Sequence, residues 1–200
     1  MIGIHGRPHF TLKPFGGGNR GTRGVSLIEF ALILPVAIIL VLVTIDFGML
    51  VQSRLIISNV SREGGSIASR TNNIDANLTS MLQSSARPLD LGGRDGRIFI
   101  TRITAGESAD ASEPTITTQL SSGLLGVNSR IAPARSHLGL NQNVYDHLRF
   151  SEGNGTSDIS EVTVVEVYYK YRPITPLPNF TQGMLLPDGD GMIIWSKAVF

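Results

Sequence analysis

The sequence predicts an α+β fold: a long N-terminal membrane-anchored helix, a shorter second helix, and a small antiparallel sheet in a C-terminal domain. Three observations lead there. An uncharged apolar run occupies Phe30 to Ile45, a helical apolar spacing continues well past it, and beyond Gly92-Gly93 the pattern changes to β-branched strands. With 42% apolar and 16% charged residues the chain can bury a core, so wholesale disorder is excluded. Net charge is only +1, and basic residues beyond position 50 are scattered among acids rather than gathered into a patch. That excludes the electrostatic footprint of a nucleic-acid partner. There is no cysteine, so disulfides, thiolate metal sites and cysteine nucleophiles are excluded together.

Residues 1–24 form a basic leader with Arg7, Lys13, Arg20 and Arg23, no acid, and a flexible Gly16-Gly17-Gly18. Positive charge ahead of an apolar span keeps that side in the cytoplasm, so the N-terminus is expected inside and the rest exported. Residues 25–51 form the expected transmembrane helix. Admitting Glu29 and Asp46, Val25 to Val51 runs for twenty-seven residues, which is about 40 Å of helix against a hydrocarbon layer of about 30 Å. Pro35 removes one backbone hydrogen bond within it and predicts a kink or loosening near Ala31 to Pro35.

Residues 52–88 read as a helical extension with a break near 71–73. Ile56, Val60, Ile67, Ile74, Leu78 and Leu82 form an apolar stripe, with Arg54, Arg62, Glu63 and Arg70 on other faces. The stripe serves either an intramolecular core or a subunit interface. Gly64-Gly65 weaken the helix, and Thr71-Asn72-Asn73 supplies N-cap residues for a new helix beginning near Ile74. Arg87-Pro88 is expected to end it.

Residues 89–200 read as an exported β-rich domain. Arg97 to Thr104, Val162 to Tyr171 and Met192 to Phe200 are its three expected strands. Ala105 to Ser160 reads as a long loop, with a short helix or strand at Asn143 to Phe150. Pro173, Pro176 and Pro178 mark an extended connection, because none can donate to a ladder. Asp188-Gly189-Asp190-Gly191 is expected to turn a hairpin rather than hold calcium, since the rest of a twelve-residue calcium loop is missing.

Catalytic chemistry is not predicted. Asp46-Phe47-Gly48 spells a kinase triplet without the other kinase motifs. His137 and His147 lack metal-ligand spacing. No nucleophile, base and oxyanion set can be assembled, so the chain is expected to be neither an enzyme nor a cofactor carrier.

Glu29 needs an explanation, because an acid in an apolar span costs about 2.5–3.5 kcal/mol at the bilayer centre and less near its edge. Gly24 ends the basic leader, Val25 to Ile28 are uncharged, Glu29 is fifth after the glycine, Phe30 follows, and an apolar helix continues. This constellation resembles the prepilin peptidase site of type IV pilins and pseudopilins. Within that class, R-G-V-S-L-I-E-F-A-L-I-L-P, then D-F-G at Asp46 to Gly48, then S-R-E-G at Ser61 to Gly64, is similar to the TadE-like proteins of the Tad (tight adherence, Flp) pilus system. The close resemblance covers residues 21–70. The strand V-T-V-V-E-V-Y-Y-K-Y-R-P-I-T-P-L is also similar to the C-terminal part of such proteins.

The resemblance implies a minor pseudopilin in the bacterial inner membrane, cut by a prepilin peptidase between Gly24 and Val25. It also implies other pilins and pseudopilins and an inner-membrane assembly platform as partners. The competing expectation is a secreted or membrane-anchored binding domain behind a conventional signal sequence. Val51-Gln52-Ser53 offers such a cleavage site, although the apolar run exceeds the usual span of about 7–15 residues. A membrane-anchored enzyme working through residues 105–160 has no motif in its favour.

Overall fold

The computed structural model describes residues 20–71, 73–151, 157–175 and 191–200, without the side chains of residues 20–25. The leader up to residue 19, Pro176, Pro178 and the first three positions of the Asp188 to Gly191 turn lie outside the described residues.

Helix α1 is 49 residues long, Arg20–Ala68, and continues through Pro35. The chain divides into two compact units, Met1–Val41 and Leu42–Phe200. In the first, every described side chain from Ser26 to Val41 is exposed, including the apolar ones. An all-round apolar surface is what a helix carries when lipid or other helices are its solvent.

In the second unit one face of α1 turns inward. Leu42, Asp46 and Leu50 are half-buried, then Ser53, Ile57, Val60, Ser61, Gly64 and Ala68 are buried, at the three- and four-residue steps of one helix face. After the break, α2 spans Ala76–Ser85. Its cap is not the Thr71-Asn72-Asn73 cluster: Asp75 accepts from the Leu78 amide at 3.0 Å and, on its other oxygen, from the Asn77 side chain at 2.9 Å. The carboxylate thereby satisfies an amide that the first turn leaves free. The helix stops at Ser85, with Ala86 as C-cap, one residue ahead of Arg87-Pro88.

Among the described residues four strands follow where three were expected: β1 Gly96–Thr104, β2 Thr115–Gly123, β3 Glu161–Tyr171 and β4 Met192–Val199. All neighbours are antiparallel, in the order β2-β1-β3-β4. The additional strand, T-I-T-T-Q-L-S-S-G, lies within residues 105–160. It is an edge strand with mostly exposed or half-buried positions, so polar residues dilute the alternation that marks a strand. The same stretch also holds a tight turn at Ser136–Gly139 and helix α3, Gln142–Leu148, which resolves the helix-or-strand segment as helix.

The sheet is covered on both faces. Ile98, Ile100, Val165 and Val167 pack against α1 and α2, with Ile57, Val60, Leu78 and Leu82 in the same cluster. On the opposite face Ile103, Val162 and Val164 meet Ile131, Leu140 and Leu148. Alternation along β1 and β3 divides the two sets, which is why β3 is apolar on both sides and reads as the strongest strand.

Candidate functional site

The processing residues lie at the start of α1. Gly24 and Val25 are helical in backbone, and their side chains lie outside the described residues. Glu29 is exposed and makes no ion pair among the described residues, Phe30 is 64% exposed, and Pro35, further along the helix, is exposed too. Ser26–Ala68 is the one described helix long and apolar enough to cross a membrane.

Asp46, the second acid of the apolar stretch, is bound to the chain's own sheet. Its Oδ1 accepts from the backbone amides of Ile174 at 3.0 Å and Thr175 at 3.2 Å, and its Oδ2 accepts from the Thr175 hydroxyl. The donors are available because they follow Pro173 in the extended exit from β3, where no ladder engages them. Burial, and then the Asp46 charge, raise Tyr171 above an ordinary phenol, so its hydroxyl stays protonated as a donor. Asp46 is thus an anchor between α1 and the strand that follows it much later in sequence.

The apolar stripe belongs to the intramolecular core. Val60, Leu78 and Leu82 are buried in the cluster that α1 and α2 share with the sheet, and Ile56, Ile67 and Ile74 pack against it half-buried. The centre of the α1 face is offset from the stripe, at Ile57, Ser61, Gly64 and Ala68. Ser61 Oγ meets Ser196 Oγ of β4 at 2.8 Å. A Cβ on Gly64 would come within 2.8 Å of Leu82, and one on Gly65 within 2.2 Å of the Phe200 ring. In S-R-E-G, therefore, Ser61 and Gly64 face the sheet while Arg62 and Glu63 face outward. Small residues three apart on an otherwise apolar face are the signal of that close approach.

Sequence reasoning also missed Glu166, a fully buried acid in the middle of β3. Its carboxylate accepts from the Arg130 amide at 3.1 and 3.2 Å, from the Tyr168 hydroxyl at 3.0 Å, and from the Ser129 hydroxyl. Burial first, and the adjacent Glu166 charge second, push Tyr168 well above the usual phenol range. The signal was present in V-T-V-V-E-V-Y-Y: an acid amid apolar neighbours on a central strand must have built-in donors.

Neither histidine joins a metal-binding group among the described residues: His137 lies edge-on to Tyr145, and His147 Nδ1 pairs with Asp158 at 2.8 Å. Comparison with curated proteins and with solved structures gives no match. A family model does match: TadE-like protein, over residues 24–66. The matched stretch begins at Gly24 and contains Glu29, Pro35, the Asp46 anchor and the S-R-E-G turn of α1. Over this stretch, which is less than half of the chain, the sequence is similar to TadE-like proteins.

Proposed function

We propose that this chain is a minor pseudopilin that takes part in assembling a Tad/Flp-type adhesive pilus, as a structural component and not as an enzyme. In this reading the apolar start of α1, within residues 25–51 and ahead of Asp46, holds it in the bacterial inner membrane with the leader cytoplasmic, while Asp46 and the helix beyond it pack against residues 89–200 on the periplasmic side. A prepilin peptidase removes residues 1–24, and the mature helix packs with other pilins and pseudopilins at the assembly platform. The observation that carries the reading is the TadE-like match, which starts at the glycine of the proposed cut.

Cleavage would give Val25 a free α-amino group with an ordinary pKa of about 7.7–8.0, one helical turn from Glu29. A carboxylate four residues on can pair with that amine or with a neighbouring subunit's. Among apolar helices such a pair offsets part of its own burial cost and fixes axial register. Removing the leader takes away four of seventeen basic residues, leaving thirteen against sixteen acids.

The anchor argues against signal-peptidase cleavage after Ser53. That cut would discard Asp46 and leave the Ile174 and Thr175 amides without their acceptor. The deciding measurement is the intact mass of the mature chain. Loss of residues 1–24 supports the pseudopilin, loss of residues 1–53 supports the secreted domain, and an unprocessed chain refutes cleavage.

A further inference from the structure

The sheet face turned away from α1 and α2 carries a ladder of three rings with a cation at each end. The Arg97 guanidinium lies 5.0 Å from the Phe99 ring, Phe99 meets Tyr168 edge-on at 5.9 Å, Tyr168 stacks on Trp195 at 6.3 Å, and the Arg130 guanidinium sits 3.9 Å over Trp195. The ladder ends in an open groove of about 620 Å³, where Arg130 is joined by Arg135, Asn128 and Ile193.

Both arginines have fixed supports. The Arg130 amide is held by the buried Glu166 carboxylate, whose oxygens are also taken by the Ser129 and Tyr168 hydroxyls. Stacking on Trp195 covers one face of the guanidinium, whose edge also reaches the Tyr168 hydroxyl, and leaves the remaining N–H groups for a planar acceptor. Arg135 opens a turn in which His137 and Leu138 have φ of 52° and 55°, a conformation side chains rarely adopt. The turn is over-determined: Leu138 N donates to Arg135 O at 3.1 Å, Ala132 N to Leu138 O at 3.2 Å, and Lys197 Nζ to Gly139 O at 3.2 Å. Neither Arg130 nor Arg135 forms an ion pair among the described residues, and no acid lines the groove.

We propose that this groove binds a small oxyanion, a carboxylate or phosphate group met by Arg130 and Arg135 against the Trp195 wall. Two guanidinium groups beside an aromatic wall supply the charge-assisted, forked donors that such groups accept. The groove's volume suits a single small ligand.

Trp195 is the chain's only tryptophan, so its fluorescence reports on the groove alone. The full chain in neutral maltoside micelles is titrated at constant ionic strength with inorganic phosphate and, separately, D-galacturonate; D-galactose is the uncharged control. A saturable change with at least one anion is expected, and which anion responds identifies the source. Arg135→Gln, an exposed substitution that leaves the Arg130–Trp195 stack in place, should weaken binding by about tenfold or more. No saturable response to either anion, an equal response to D-galactose, or undiminished binding by Arg135→Gln would each overturn the proposal.

Discussion

The Tyr171 hydroxyl donates to the backbone carbonyl of Asp46 at 2.8 Å, so the last residue of β3 is fastened to α1 across 125 positions of sequence. The carboxylate of the same helical residue holds Ile174 and Thr175 just beyond. One turn of helix therefore fixes both the end of the central strand and the direction in which the chain leaves it.

Asp46→Ala should cost about 1–3 kcal/mol, because three donors lose their acceptor at once. Asp46→Asn should cost less, since its amide oxygen can keep the two backbone donors while its nitrogen donates to the Thr175 hydroxyl. Chemical denaturation of the full chain measures both. Equal losses for Asn and Ala would show that charge, rather than geometry, sustains the anchor.

The adjacent glycines of α1 should respond differently. A side chain on Gly64 meets the buried Leu82 and, at 3.4 Å, Val165, so Gly64→Val is expected to lose about 1–3 kcal/mol through overpacking. Gly65→Ala first meets the Phe200 ring, which is 47% exposed at the end of a flexible side chain, while helix propensity improves by about 1 kcal/mol. Its stability should stay within about 1 kcal/mol of the parent, with the Phe200 ring displaced in an NMR or crystal structure.

Glu166→Ala strands the Arg130 amide and the Ser129 and Tyr168 hydroxyls, and should cost about 3 kcal/mol in denaturant unfolding. Glu166→Gln retains an acceptor and should fall between the parent and Glu166→Ala. The ring current that Tyr168 imposes on Phe99 should change in both variants, reporting local repacking.

Asp75 gives α2 a pH dependence. The Leu78 amide, and then the Asn77 side chain, hold its carboxyl below the ordinary carboxylate value. A depressed folded-state pKa means that the cap's contribution is complete above the ordinary range and is lost as pH falls through the folded value. The Leu78 amide proton should therefore shift in NMR with a midpoint below about 3.9. Asp75→Asn should cap without that titration.

The proposed processing makes a paired prediction. Gly24→Glu should block maturation in cells containing a prepilin peptidase while still inserting, because the apolar span is unchanged. Immunoblotting of membranes for the longer form checks it, and normal maturation would refute the site. Glu29→Ala should insert and mature but fail in pilus assembly; normal pili by electron microscopy would remove the register role.

What could be read from the sequence followed how each element gets its stability. Helix α1 and strands β1, β3 and β4 were legible because each is dense in apolar or β-branched residues, with Gly and Pro at the boundaries. Strand β2 was not, because an edge strand supported by pairing to β1 needs little apolar content of its own. The stripe was found, but its centre was misplaced: the deepest positions include Ser61 and Gly64, which an apolar count does not register. Asp46 was noticed as an acid in the span, yet its partners lie beyond residue 170, and one-dimensional spacing carries no trace of them. Glu166 escaped because its donors come from the loop residues Ser129 and Arg130, in a stretch whose sequence showed little periodicity.

The anchor also gives α1 a mechanical character. Tension applied along the helix between Leu42 and Ala68 would load the Asp46 bonds to Ile174 and Thr175 together with the Ser61–Ser196 contact. These contacts lie along the length of the helix and so resist as parallel shear elements rather than one after another. A pull on the helix is therefore shared by the exit of β3 and by β4, the half of the sheet that ends at the β4 edge, and yielding requires several bonds to break together.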